Sequence, residues 1–556
     1  MLSHALAAHA LDCYAHLAAN GKPRRRSNHQ PEWTVLAAVC LYRQLDHAHY
    51  DVRCVSLGTG LKALPHARLP VHGDVLHDSH AEVVARRGFK LWLYGQIERA
   101  ARGEREGAHG EADLLVQQVN GGEWSLKPGW KAGFYVSTLP CGDASTYFLS
   151  LSAPAESAVP TSPTSFTRTT SASGPVAAGT APIQHPSLAV AASLGMHTSR
   201  DPCPSSRSLS TSAATSSTSP FLAPEPVAVH RGRASYSTLS ILRTKPGRAD
   251  SPPTTSHSCS DKLALWALLG LQGALLARAG MRRVPLEILV VGGFERDEED
   301  GGEHRERIRD ECARALGGRI ESWARGIGLG ESEYGVPQVE FAPRAFEGAR
   351  EVVAEREGVE PSEVVGCAES LSYVADLDSV PAVEVITNGI RQGASAKRKP
   401  GQPLGPKNRS RLCKLSLYQT HLSLVDKLDS SSIDGAASTT STSSAPSAPP
   451  TPSRSAPPLA SPSTYHTTKH TSPPPTSPTS PLSPSTLAAF SPLERYRLVK
   501  ALVRQPGEGP FAGWLVSGRQ WESFDGEGRV GGVAAERREQ CGEREGLSAA
   551  AGEVRT

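Results

Sequence analysis

Apolar and polar positions divide the chain into stretches with a clear period and stretches with none. Trp33 to Tyr42 (WTVLAAVCLY) is a short continuous apolar element, and Val52 to Leu57 is a second. From His80 to Arg99 the pattern is helical. Val84, Gly88, Leu91 and Gly95 recur along one line, with Arg86, Arg87 and Lys90 off it. Phe134 to Leu139 (FYVSTL) is β-rich and ends at Pro140, as a strand feeding a turn does. Cys259 to Ala277 predicts a second amphipathic helix, and Leu286 to Val291 (LEILVV) a buried strand. Strands, turns and helices in this succession imply an α/β fold with a mixed sheet.

Two segments lack any such period. About 152–235 and about 429–491 are dominated by Ser, Thr and Pro, with Ala, and neither offers enough apolar surface to offset its ordering entropy. Both are expected to be disordered insertions. A third stretch, about 295–360, alternates Glu with Arg and reads as a charged insertion, with exposed helix at about Glu303 to Ala315. The predicted organisation is one domain over residues 1–528, interrupted at these three places, and a disordered tail over 529–556. Loops absorb such length at small entropic cost.

Composition narrows the function classes. The net charge is only +3 over 556 residues, so a nucleic-acid partner must be held by local basic patches. Ten scattered Cys suit a reducing compartment with a few metal-binding thiols better than a disulfide framework. No apolar run approaches the roughly 20 residues that cross a bilayer. Met1 to Asn20 contains no Lys or Arg, unlike a secretory or mitochondrial leader. A soluble nuclear or cytoplasmic protein is expected, with no membrane and no indicated protein partner.

Three short segments carry candidate chemistry: His80-Ala81-Glu82, Pro140-Cys141-Gly142 and Ser258 to Lys262 (SCSDK). One imidazole and two thiolates, from His80, Cys141 and Cys259, can hold Zn²⁺ and leave its fourth position to water. Glu82, two residues from the candidate ligand, can move that water's protons. These are the parts of a zinc-dependent nucleobase deaminase. A deaminase signature with a second Cys three residues after the first is not met, because position 144 is Ala. A structural zinc site lacking its fourth ligand is the alternative, and it leaves Glu82 without a task.

The distant third ligand resembles the adenosine deaminases acting on RNA and their tRNA-specific relatives. Other matching segments follow in that family's order: Asn20 to Pro23, Glu32 to Ala38, Ser56 to Lys62, Leu76 to Arg87 (LHDSHAEVVARR), Leu242 to Arg248 and Ser410 to Lys414. The Arg243 to Arg248 segment (RTKPGR) is of the subtype that makes inosine at position 37 of alanine tRNA. The first motif begins about twenty residues into the chain, so no double-stranded-RNA-binding domain is expected before it. The resemblance implies a cytidine-deaminase-like fold, hydrolytic deamination of adenosine in tRNA, and two cofactors, Zn²⁺ and a buried inositol hexakisphosphate. Other RNA substrates, a free nucleoside, or an inactive RNA-binding relative are the competing readings.

A buried polyphosphate needs a cage of cations. By resemblance it is formed by Arg86, Arg87, Lys245, Lys262, Gln272, Lys414, Tyr496, Lys500 and Trp514, with Trp266, Tyr465 and Lys469 nearby. Tyr465/Lys469 and Tyr496/Lys500 share a spacing that puts phenol and ammonium on one helical face. Leu265 stands where the resemblance expects a basic residue, and Val516-Ser517 where it expects an acidic and a basic one. From Arg391 to Lys414 there are eight Lys/Arg and no acidic residue, which suits RNA phosphates. Lys397, Arg398 and Lys399 are the candidate contacts. The same run also reads as a nuclear localisation signal or a plain soluble loop. Pro23 to Arg26 is a smaller basic spot.

Overall fold

In a computed structural model of the chain, the described residues are 1–104, 114–119, 122–151, 229–231, 238–245, 251–293, 302–377, 382–437, 463–470 and 484–531. Nearly all of the expected insertion at 152–235, most of the tail at 529–556, and Pro246 to Arg248 lie outside them.

Eight strands form one mixed sheet: β1 (Leu36–Gln44), β2 (Tyr50–Thr59), β3 (Lys131–Val136), β4 (Leu286–Gly292), β5 (Gln338–Ala342), β6 (Glu369–Val374), β7 (Val383–Thr387) and β8 (Ile390–Arg391). Their order is β5-β4-β3-β1-β2-β6-β7-β8. β3, β4 and β5 are mutually parallel and the remaining neighbours antiparallel. Helices cover both faces, which explains the unbroken apolar run of β1. Ala37, Val39 and Leu41 point into one core and Leu36, Ala38, Cys40 and Tyr42 into the other. The second core is capped by α1 (Leu2–His16), whose Leu6, Ala7, Ala10, Leu11 and Tyr14 are buried.

The expected charged insertion is folded. Parallel strands need a crossover, and residues 303–334 supply the one from β4 to β5, with helices at Glu303–Ala313 and Arg319–Gly326. Among its charges, Ile308, Cys312, Ala315, Leu316, Ile320 and Ala324 recur at helical spacing and are buried. The expected insertion at 429–491 is also narrower. Residues 429–437 continue the helix Lys414–Ala437, and Tyr465–His470 and Pro484–Ala488 are helical. Tyr465 is anchored by rings: it stacks on Phe524 at 5.1 Å and meets Tyr418 edge-on at 5.6 Å. The predicted helix Cys259–Ala277 is two. α4 (Cys259–Leu269) stops at Gly270, whose φ of +87° ends the helix, and a second runs over Gly273–Arg278.

Helix α2 (Ala81–Ala101) lies across the sheet and buries Val84, Ala85, Gly88, Phe89 and Trp92. Its approach to β2 is set by Gly58, where a Cβ would stand 2.6 Å from Val84 Cβ and 2.7 Å from the Ala81 carbonyl oxygen. Gly58→Ala should therefore push α2 off the sheet and lower stability by about 1–3 kcal/mol, read from the urea unfolding midpoint. An unchanged midpoint would mean that this contact does not set the helix position.

Candidate active site

The start of α2 carries His80 and Glu82. His80 is its N-cap residue and closes a short antiparallel pairing in which Leu61, Lys62 and Ala63 face His80, Ser79 and Asp78. The His80 Nδ1 lies 2.9 Å from the Asp78 carboxylate, which leaves Nε2 free for a ligand. Glu82 is buried in the first helical turn.

Cys141 follows β3 and precedes α3 (Asp143–Leu151), and Cys259 is the first residue of α4. Each residue of the SCSDK segment has a local task. The Ser258 hydroxyl caps α4 by accepting from the Asp261 amide at 3.1 Å. Ser260 clips the two cysteine segments together: its amide donates to the Cys141 carbonyl at 3.0 Å and its hydroxyl accepts from the Ala144 amide at 3.1 Å. Gly142 has no Cβ to strike Ser258. Asp261, fully buried, takes Arg319 from the β4–β5 crossover and the Arg243 amide at 2.9 Å. Lys262 pairs with Asp78.

Cys141 and Cys259 consequently touch, with the Cys259 amide 3.3 Å from the Cys141 sulfur. The hydrogen bond from the Cys259 thiol brings the Cys141 thiol down to about 6, and the Lys245 and His80 charges help against burial and Glu82. Burial and the Cys141 partner push Cys259 up instead. A chain of contacts joins the predicted ligands, from His80 to Asp78, to Lys245, to Cys259 and to Cys141, and Glu82 acts electrostatically on both thiols.

Lys245, expected in the polyanion cage, lies here: its ammonium is 3.1 Å from the Cys259 sulfur and 2.9 Å from Asp78. Burial opposes that charge, but Asp78 and the two thiols outweigh it and hold Lys245 above its usual range. Asp78 also accepts from the Ser256 hydroxyl at 2.6 Å. Burial disfavours its carboxylate, yet Lys245, Lys262 and His80 hold it well below the usual range. Asp78 received no role from the sequence, although it stands two residues before His80.

The His80, Cys141 and Cys259 ligand atoms are not one of the sets that lie within 4.8 Å of one another. Among the described residues, His466/His470/Glu522 and Glu32/Cys367/Glu369 are such sets. Both are already ion-paired: Lys469 and Lys414 hold Glu522, Arg26 holds Glu32 and Arg24 holds Glu369. The predicted trio has the better chemistry for a transition metal, with two adjacent thiols and an imidazole backed by a carboxylate.

A second cluster lies beyond Lys262. Arg86, Arg87, Lys90, Lys414, Lys469 and Lys500 are half-buried and act on one another, so they gather into one partly sunken cationic cluster, the recess. Burial lowers Arg86 to about 10 and Lys414 to about 8, and holds Lys90 and Lys500 well below the usual lysine range. The Arg86 guanidinium lies over Trp266 at 4.6 Å, and its Nε is buried without a partner. Arg504 lies over Trp514 at 4.9 Å, and Trp514 stacks on His257 at 4.0 Å. Lys500 lies over the Tyr496 ring at 5.7 Å. Glu522 joins Lys414 and Lys469 at 3.3 and 2.7 Å. Gln272 uses its amide on the Leu269 carbonyl and the Val284 amide instead of facing the recess. Sequence reasoning missed Lys90, Arg504 and Glu522. For Lys90 the signal is its place one turn after Arg86.

The basic loop divides. Lys397 and Lys399 are exposed, but Arg398 is paired with the fully buried Asp74 at 2.9 Å. Arg24, Arg25 and Arg26 each hold a carboxylate, on Glu369, Glu357 and Glu32.

The model of the adenosine-deaminase (editase) domain matches residues 56–472, across every element of this site up to the helix of Tyr465. The chain belongs to the adenosine-deaminase (editase) family. The tRNA-specific adenosine deaminase 1 of Mus musculus is 29% identical over 75% of this chain and 87% of its own length. That of Homo sapiens is 28% identical over 75% and 88%. That of Saccharomyces cerevisiae is 26% identical over 53% and 59%. This deaminase is an enzyme of hydrolytic chemistry on adenosine, and its buried hub is Asp78. Asp78→Asn should remove the carboxylate charge that balances Lys245 and Lys262 and cost about 3–5 kcal/mol, measured by urea unfolding. A loss below 1 kcal/mol would show that the two lysines find other partners.

Proposed function

We propose that this deaminase converts adenosine to inosine in tRNA, at position 37 beside the anticodon of alanine tRNA, with Zn²⁺ at His80, Cys141 and Cys259. The convergence of Glu82 with that donor set supports the chemistry. The names of the relatives and the RTKPGR segment support the substrate. Zn²⁺ there would supply the Lewis acid that lets water act as a nucleophile near neutral pH. Glu82 takes the proton of the attacking water and returns protons to the ring nitrogen and the departing amine, so ammonia leaves and inosine remains. Asp78 holds His80 through Nδ1 and would leave Nε2 as the nitrogen open to the metal. Lys245, against Cys259, offsets thiolate charge at the site.

An adenine in a stacked loop must leave the stack to reach this pocket. The exposed Lys397 and Lys399 suit RNA phosphates, whereas Arg398 is committed to Asp74. In the recess, inositol hexakisphosphate would be held by Arg86, Arg87, Lys262, Lys414 and Lys500, with Tyr496 and Trp514 at its walls. The unpartnered Arg86 Nε and the depressed lysines fit such an anion. Among the described residues no helix is long and apolar enough to cross a membrane.

The test incubates the purified chain with unmodified tRNA transcripts and maps adenosine-to-inosine changes by sequencing. Inosine at position 37 of alanine tRNA is expected, and none beside any anticodon refutes the substrate. Glu82→Gln should lower the rate by about 10²-fold or more while elemental analysis still finds one zinc per chain. Wild-type activity in Glu82→Gln would refute its proton-transfer role.

A further inference from the structure

Lys90 is the charge in the recess that the fold itself leaves unexplained. It follows Arg86 by one turn of α2, so the two side chains share a helical face. Arg86 has local partners in the Trp266 ring and the Gly270 carbonyl. Among the described residues, Lys90 Nζ has no hydrogen-bond or ion-pair partner. Each charged group acting on it, Arg87, Arg86 and Lys469, is a cation. His421, another neighbour, is pushed down to about 4 by burial, Arg278 and Lys90, so it is neutral near pH 7. A buried ammonium among like charges is costly unless an anion accompanies it.

Gly273 shows how closely the two cations approach each other. A Cβ there would stand 3.3 Å from Arg86 Nη2 and 3.8 Å from Lys90 Nζ, so both side-chain ends lie against this glycine and can reach one anion together. On the neighbouring helix α4, Leu265 lies one turn after Lys262 and is buried beside Trp266, the ring under Arg86. Leu265 is the position at which the resemblance expects a basic side chain.

We propose that Lys90 and Arg86 form a phosphate subsite of the recess beside Gly273, with Lys90 delivering from α2 the positive charge that Leu265 does not deliver from α4. The inference rests on the polyphosphate reading of the recess. Anion and ammonium then satisfy one another in a setting where each alone would be costly.

The experiment uses the full chain and inositol hexakisphosphate as probe. Phosphate released on denaturation is counted per chain, and affinity for re-added probe is read by calorimetry. The wild type should carry the probe. Lys90→Met should weaken its affinity about tenfold or more, the loss of a charge-assisted hydrogen bond. Leu265→Arg in the Lys90→Met background should restore it. Wild-type affinity in folded Lys90→Met overturns the subsite while the polyphosphate reading stands. A wild type that neither carries nor binds the probe overturns both. Should Lys90→Met not fold, Lys90→Arg decides: retained occupancy supports the subsite, and a folded Lys90→Arg without the probe refutes it.

Discussion

A single buried carboxylate, Asp78, organises the centre of this molecule. It takes Lys245 from one segment, Lys262 from α4, the His80 imidazole at the start of α2 and the Ser256 hydroxyl. Burial alone would protonate it; the surrounding cations reverse that. A buried charge so placed adds little net stability compared with an apolar core, but removal of one partner strands the rest. Its value is geometric. Three separate segments, Asp78–His80, the stretch of Lys245, and Ser256 to Lys262, must arrive together before all of their charges are satisfied, so the fold and the candidate site form by the same contacts.

The sheet explains why these segments meet. Parallel β3 and β4 require a crossover, and α3 and α4 lie within it, so Cys141 follows a strand and Cys259 opens a helix. Residues absent from the described set intervene between them, yet the contacts at the site do not depend on that length. Ser260 fastens Cys141 to α4 directly, and Arg319 from the next crossover fastens Asp261. Long intervening segments then change only the loop-closure entropy, which grows slowly.

Much of this was legible in the sequence where local chemistry decides structure. The four strongest apolar runs are core strands or precede them, and α2 spans Ala81–Ala101 against an expected His80 to Arg99. The family motifs led to residues that converge in space. The rest was hidden by averaging or by partners far along the chain. The 303–334 crossover reads as charge because Glu and Arg fill its exposed and half-buried positions, while Ile308, Cys312, Leu316 and Ile320 carry its packing. Tyr465–His470 sits in Ser/Pro-rich text and is ordered through Tyr418 and Phe524, neither of which is local. Arg398 and Gln272 carried the right residue types for a ligand, but Asp74 and backbone groups had already taken them. No periodicity can report a partner 324 residues away.

The recess and the thiol site are not independent in this fold. Lys262 binds Asp78, whose other oxygen holds His80, and Lys245 joins Asp78 to Cys259, while Lys262 also acts on His257, whose ring stacks on Trp514. On the polyphosphate reading, an anion in the recess competes with Asp78 for Lys262 and so tunes the carboxylate that orients His80. The same anion relieves the mutual repulsion of Lys90, Lys469 and Lys500. A ligand that binds only the folded chain stabilises it by mass action. Its effect on the reaction would therefore be exerted through Asp78 and through the stability of the fold, without contact with the reacting base.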